Sequence, residues 1–436
     1  MKKKTILSIA LMLIFSVFNL QAQTQKTPWI ITLDEAVKMA LKSSEDLKMA
    51  SNGKQLKSSE FLKKKMQKSP YLSTSFSWSK NLKYPGGVGM NDYAMDMGLT
   101  LSQKIFTFGK IAKSIELAKK EVDISSLDEL SLKREMIFLT KSAYYQIYLA
   151  KKIHEISYES LERAKENKNI LEKRSSSGRA SKYDNIKAAS DIAGRIPSVN
   201  EAKADLNTII HTFIVLLGFD DFNLANKVDI SSDIFKNEYT PLDHEKLIKK
   251  LLAYHPSLKK LKLSVSASDD KINLLEKAYY PELNAFSSYT KRGYDASFIP
   301  AQDALGSYAM VGLSLNIPLF DAGNRKANIN QSKILKTNAE LLLEKKKKEL
   351  ILALENAVSV YNELIKTLAA NKNAISLAET SFRMSQDLLR SGYMSVTNLN
   401  DAELYLTGQK IKKELTLVNL EINLADIEKL AGAINE

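Results

Sequence analysis

The sequence contains no cysteine, which excludes disulfide staples, thiol catalysis and a lipid-anchored N-terminal cysteine. After residue 22 there is no run of 18 consecutive apolar residues, so no transmembrane helix is expected. Histidine is scarce. His154, His211, His244 and His255 are scattered and form no metal-ligand spacing. No nucleophile motif, phosphate-binding loop or paired-carboxylate site stands out, so neither enzyme activity nor a bound cofactor or metal is expected. Glycine (16) and proline (9) are few among 436 residues and unevenly placed, and that unevenness is the main clue to the architecture.

What is present begins with an export signal. Lys2, Lys3 and Lys4 precede an apolar run from Ile6 to Phe18, and Leu20-Gln21-Ala22 ends in a small residue suited to cleavage. Residues 1–22 therefore read as a secretory signal peptide, too short for a comfortable spanning helix. The formal net charge is +13, or +10 without the three signal lysines. Because the lysines spread along helical stretches such as Lys345 to Lys348, they read as solvated helix faces, and no nucleic-acid partner is expected. Met90, Met95 and Met97 invite a soft-metal reading, but Met95 and Met97 fall on an apolar strand face, where they serve as filler.

The chain is written twice. Leu99-Thr-Leu-Ser-Gln-Lys-Ile-Phe106 aligns with Leu313-Ser-Leu-Asn-Ile-Pro-Leu-Phe320 at an offset of 214 residues. The same offset carries Gly109 onto Gly323, Gly178 onto Gly392, Gly194 onto Gly408 and Gly218 onto Gly432. Upstream the offset is 211, with Pro70 on Pro281 and Leu47 on Leu258. The repeats run over 31–218 and 243–432, joined by a connecting segment at 219–242.

Each repeat predicts one very long helix. Residues 110–177 and 324–391 each hold 68 positions without glycine or proline. Leu354, Val358, Tyr361, Ile365 and Leu368 step by four and three, and the seam resumes at Ile375, Ala378, Phe382, Ser385 and Leu389, a heptad pattern of side-by-side helices. At 1.5 Å per residue each would be roughly 100 Å long. Shorter return helices are expected over 179–217, with Gly194 and Pro197 interrupting or kinking it, and over 393–430. Single leading helices are expected from Leu33 to Lys68 and from His244 to Tyr280.

Strands are expected between these helices, at 71–80, 93–106, 282–291 and 308–320. Leu72, Thr74, Phe76 and Trp78 alternate with Ser73, Ser75, Ser77 and Ser79, the period of a half-buried strand. Tyr93, Met95, Met97, Leu99 and Leu101 alternate with small and polar residues, as do Val311, Leu313, Leu315 and Ile317. Phe286 breaks the pattern by falling on the polar face. Trp78, Tyr84, Tyr93, Tyr289 and Tyr308 are candidates for interfacial aromatic girdles. Four strands cannot close a membrane barrel, whose smallest known size is about eight strands, so closure requires several chains.

Ile31-Thr-Leu-Asp-Glu-Ala-Val-Lys-Met-Ala-Leu-Lys42, Asn316-Ile-Pro-Leu-Phe-Asp-Ala-Gly323 and Gly392-Tyr-Met-Ser-Val-Thr-Asn-Leu-Asn-Asp-Ala402 together resemble the TolC-like outer-membrane efflux protein family, over nearly the whole mature chain. Copy one departs at Lys104, where the family often has proline, as copy two does at Pro318. The resemblance implies a mainly α fold with a small β part. It is internally duplicated, with long antiparallel helices in a trimeric α-barrel and four strands per chain in a 12-stranded transmembrane β-barrel. It also implies a homotrimer in outer-membrane lipid, reaching into the periplasm. Such a channel is the passive exit duct of a tripartite efflux pump or type I secretion system. Its partners are a periplasmic adaptor (membrane fusion protein) and an RND-type or ABC-type inner-membrane transporter. Matching the motif, Asp184 and Asp401 fall where family members carry pore-narrowing acidic residues, with neutral Asn398 as a further candidate. Gly178, Arg179, Gly392 and Tyr393 mark the helical tips and the expected adaptor-docking surface. A helix-surface carboxylate in water is the plainer reading of each aspartate. Two other protein classes compete: a trimeric coiled-coil surface or structural protein without transport activity, and a periplasmic scaffold whose strands pack in a soluble domain.

Overall fold

The computed structural model describes residues 29–80, 82, 93–176, 178, 180–231, 235, 238–295, 297–299, 301, 303 and 305–431. The signal peptide, Tyr84, Met90, Arg179 and Gly432 lie outside them. The elements in chain order are β1 (Trp29–Ile31), α1 (Leu33–Ser43), α2 (Glu45–Met66), β2 (Tyr71–Lys80), β3 (Tyr93–Phe106), α3 (Lys110–Ser176), α4 (Lys182–Leu216), β4 (Val228–Ile230), α5 (His244–Tyr254), α6 (Pro256–Glu276), β5 (Glu282–Asp295), β6 (Leu305–Asn316), α7 (Asn324–Ser391) and α8 (Val396–Ala431). The chain folds as two compact units, and each draws on both sequence repeats. One holds 29–44, 135–243 and 356–429; the other holds 45–134 and 244–355, with 430–431 assigned to it.

The long helices α3 and α7 contain 67 and 68 residues, filling the two spans that lack helix breakers. Each is entered through a pair of left-handed residues: Phe108 (φ 49°) with Gly109 (φ 79°), and Ala322 (φ 54°) with Gly323 (φ 84°). Only the second residue of each pair is glycine, so Phe108 and Ala322 carry backbone strain that L side chains normally avoid. Asp321 holds the second junction. Its carboxylate accepts from the Arg325 backbone N–H at 2.8 Å and from Arg325 Nε at 2.7 Å, and these bonds hold its pKa below the usual carboxylate range.

Four expectations are corrected. The leading helices are not single. Each is broken at one residue, Ser44 (φ −49°, ψ 118°) and His255 (φ −64°, ψ 123°). These two positions are related by the 211-residue offset. His255 precedes Pro256, whose ring disfavours helical backbone before it, and its Nδ1 accepts from the Ser257 N–H at 3.2 Å to restart the helix. Gly194 and Pro197 do not interrupt α4, which is one helix with Pro197 inside it. Proline removes one backbone donor, while Ala188, Arg195 and Ala202 on either side stay buried and hold the segment in place. The return helices start at Lys182 and Val396, each three residues later than expected, because Ser181 and Ser395 act as caps. The second strand pair shifts too. β5 continues to Asp295 by pairing with Tyr93 of β3, whereas β6 stops at Asn316, ahead of Pro318 and its missing donor.

In the unit that holds the sheet, the strand order is β2-β3-β5-β6, antiparallel throughout. Leu72 faces Leu101, Phe76 faces Met97 and Trp78 faces Met95, so the apolar residues of both strands share one face. That face is largely exposed: Leu72 is 60%, Phe76 65%, Val311 85% and Leu313 70% accessible. The other face carries Ser75, Gly98, Thr290 and Tyr308 in one register row. Phe286 fits this polar face because Gly312 lies directly opposite. A Cβ at Gly312 would come within 2.8 Å of the Phe286 ring. Trp78 stacks on Tyr93 at 5.4 Å, and its Nε1 donates to the Phe298 carbonyl at 2.8 Å, which gathers the aromatic residues at the loop end of the sheet. Tyr308 lies on the polar face, away from this cluster. Below the sheet, Asp270 of α6 is buried between Lys113 and Lys120 of α3, at 3.0 and 2.5 Å.

The other unit is organised on Tyr144, Tyr145 and Tyr148 of α3. The Tyr144 hydroxyl donates to the Ile31 carbonyl at 2.8 Å and accepts from the Ser231 N–H at 3.1 Å. It thereby fastens the short parallel pair β1–β4, which the sequence pattern did not announce. Tyr145 and Tyr148 donate to Glu421 and Glu414 of α8, each at 3.2 Å. Burial, then the facing carboxylates, push both phenol pKa values up. Ile31, Ala36, Ala40, Phe213, Ile214 and Val418 complete this core.

Candidate functional site

The turns at Gly178 and Gly392 belong to the tyrosine-rich unit, and both glycines take positive φ, 72° and 93°. Helix α7 ends in a Schellman motif, in which Gly392 N–H donates to the Leu389 carbonyl at 3.1 Å and Tyr393 N–H donates to Leu388 at 2.9 Å. Arg174, in the last turn of α3, donates through Nη1 to the Leu389 carbonyl and so ties the two long helices together at their ends. A Cβ on Gly392 would sit 3.1 Å from Arg174 Nη2. Leu171, Ala188, Leu389, Val396 and Leu399 form a small apolar plug here. Tyr393 is 85% exposed beside it.

The expected constriction residues divide by chemistry. Asp184 completes a capping box. Its backbone N–H donates to Ser181 Oγ at 3.0 Å, and its Oδ2 accepts from Ser181 N at 3.1 Å and from Ser181 Oγ at 2.7 Å. Asn398 holds the equivalent position after Ser395, with its N–H donating to Ser395 Oγ at 3.2 Å, so the 214-residue offset reproduces the cap without the charge. Asp401 lies one turn further along α8 and is exposed. Asp184 and Asn398 therefore occupy one structural role, and Asp401 stands apart from it.

Two turns from the tip, an ion cluster missing from the sequence reading joins three helices. Glu403 of α8 is 0% exposed. Its Oε1 accepts from Arg163 Nε of α3 at 3.0 Å and from Thr407 Oγ1 at 2.8 Å, while Arg195 of α4 pairs with Oε2. Arg195 also donates to Ser160 and Asn400. A sequence signal existed. Leu399, Glu403 and Leu406 step by four and three, so a carboxylate occupies a seam position that otherwise takes leucine.

The fold defined here is one shared with solved outer-membrane channels. The outer membrane efflux protein family model matches residues 247–433. The outer membrane efflux protein BepC of Brucella suis is 21% identical over 350 residues, covering 80% of this chain and 74% of the relative. Among solved structures, the CmeC outer membrane channel of Campylobacter jejuni superimposes with a TM-score of 0.80 at 18% identity, covering 92% of this chain and 85% of that one. CusC does so with a TM-score of 0.79 at 17% identity and 94% coverage of both chains. The second half of the chain thus matches the outer membrane efflux protein family model, and the whole chain shares its fold with solved outer-membrane channels.

Proposed function

We propose that this protein is the outer-membrane exit duct of a tripartite efflux pump, a passive channel that performs no chemistry. The observation that carries this reading is the sheet β2-β3-β5-β6. It is apolar and exposed on one face and hydroxyl-rich on the other, and its edge strands β2 and β6 have no further partner among the described residues. Unpaired edges are untenable in lipid, so closure must come from other copies. Two chains would supply eight strands and three would supply twelve. The homotrimer with a 12-stranded barrel is the form that the family resemblance favours. Exposed apolar residues on α2 (Met49, Leu56, Leu62) and α7 (Leu341, Leu342, Leu352) support assembly, since they find no cover among the described residues. A coiled-coil surface protein has no use for an amphipathic sheet, and that alternative gains no support.

At the tips, Asp401 is the proposed constriction carboxylate. Three copies would form an acidic ring that favours cations. Asp184 acts first as a helix cap, and Gly178, Arg179, Gly392 and Tyr393 form the proposed adaptor-docking surface. A type I secretion role is the same duct serving an ABC-type transporter. The test is direct: the protein should fractionate with outer membranes, run as a trimer in mild detergent and conduct in planar bilayers. Asp401→Asn should lower cation selectivity. A soluble monomer without conductance would defeat the channel reading, and unchanged selectivity would defeat the role of Asp401.

A further inference from the structure

Charge is divided sharply between the two units. Residues 45–134 and 244–355 hold 34 lysines and arginines against 22 aspartates and glutamates, a net +12. Residues 29–44, 135–243 and 356–429 hold 25 against 27, a net −2. Nearly all the basic excess therefore lies in the unit that carries the sheet. At the helical end of that sheet is a cavity of about 620 Å³, bounded by the C-terminal turns of α2 and the bases of all four strands. This volume suits a drug-sized ligand.

The composition of its lining is selective. Lys63 and Lys104 supply two cations, Gln67 and Gln103 supply amide donors, and Met66 and Phe286 supply apolar surface, with no carboxylate in the lining. The nearby carboxylate, Glu282, is already paired with Lys110 at 2.5 Å. Lys104 is presented by a β-bulge between Lys104 and Phe106, a device that re-aims a side chain. At the same repeat position copy two has Pro318, so the cation exists in only one half of the duplicated chain. Gln103 Nε2 donates to the Lys68 carbonyl at 3.4 Å, which fixes the α2–β2 connection over the cavity. The ring of Phe286 is held in place against Gly312.

We infer that this cavity binds an amphiphile with an anionic head group, the head between Lys63 and Lys104 and the apolar body against Phe286 and Met66. A small inorganic anion would leave the apolar side empty, and a cationic drug would meet two lysines. Ser102, Lys104, Asn284, Phe286 and Ser314 project from the polar face of the sheet. If that face is the channel lumen, the site stands in the path of cargo, and this transport consequence rests on the proposed function. Binding itself does not. The ligand chemistry has two sources, an anionic cargo and an anionic phospholipid.

The experiment uses the full-length assembly in nanodiscs of zwitterionic lipid, with a dansyl-labelled undecanoate as probe and its uncharged amide as control. Expected is a saturable fluorescence rise with the carboxylate, weakened about tenfold or more by Lys104→Glu and again by Lys63→Glu, the loss of one charge-assisted contact each. Lys104→Gln, a milder change, should give a smaller loss in the same direction. Native mass spectrometry of the assembly, purified without probe, separates the sources. A co-purifying anionic phospholipid that the carboxylate displaces identifies lipid, and a site filled only by added probe identifies cargo. Equal binding of acid and amide, or a Lys63/Lys104 double variant that binds normally, would overturn the site. Conductance on the same samples keeps the claims apart: conduction without binding sinks the site alone, whereas binding without conduction sinks the channel reading.

Discussion

Replacing Glu403 by alanine should be the most damaging single change in the helical part of the molecule. The carboxylate is fully buried and meets Arg163 Nε at 3.0 Å, Thr407 Oγ1 at 2.8 Å and the Arg195 guanidinium. The arginine side chains are only 17% and 11% exposed. Removing the anion leaves two guanidinium groups facing each other, Arg195 without its carboxylate and Arg163 with only the more exposed Glu159 at 3.3 Å. Breaking a buried pair in this way costs about 3–5 kcal/mol, because the stranded charge keeps its desolvation penalty. A domain of roughly 150–250 residues loses about 2–4 °C per kcal/mol, so the shift expected here is on the order of 10 °C. Assembly can only deepen the burial, so the native oligomer is the proper sample. Loss of the proposed trimer and of helical circular dichroism on heating would be followed together. Glu403→Gln keeps the volume and one acceptor and should fall between. A triple change of Glu403, Arg163 and Arg195 to leucine or methionine removes every charge and should be far milder than the alanine variant. If Glu403→Ala melts within about 2 °C of the parent, or if the apolar triple variant is the worse of the two, the reasoning about stranded charge is wrong.

Further outcomes follow from the same geometry. Burial raises the pKa of Asp270, but the hydrogen bonds and charges of Lys120 and Lys113 outweigh it, and the net value lies below the usual carboxylate range. Its contribution is therefore complete above its unfolded-state pKa of about 3.9 and is lost as pH falls through the lower folded value. Asp270→Asn should lower the melting temperature at neutral pH and flatten its acid dependence, and an unchanged profile in thermal scans from pH 7 to 3 would contradict this. Gly392→Ala forces a side chain into φ 93° and to 3.1 Å from Arg174, a cost of about 1–3 kcal/mol. That cost should appear as faster proteolysis at the turn rather than as loss of the sheet, and an unaltered digestion rate would argue against strain there.

Much of the fold was legible from punctuation alone. Two spans of 68 residues without glycine or proline coincide with α3 and α7, because nothing else in a polypeptide needs so long a run of helix-compatible positions. Alternation in Leu72–Trp78 and Tyr93–Leu101 assigned those residues to faces that the pairing register reproduces, since a strand has period two whatever its neighbours. The helix breaks at Ser44 and His255 were missed because one extended residue hardly disturbs a periodic average. The caps were likewise present in the text, as Ser181 with Asp184 and Ser395 with Asn398, but read as pore candidates they concealed their local role.

The sequence by itself determined the duplication, the element types and the sidedness of the strands, because each depends on local spacing along the chain. Only the tertiary structure decided which distant groups meet. Glu403 meets Arg163 and Arg195 across 240 and 208 residues, Phe286 finds its space over Gly312, and Lys63 and Lys104 line one cavity. Burial, charge compensation and cavity shape belong to pairs brought together in space, and no periodicity along a chain encodes them.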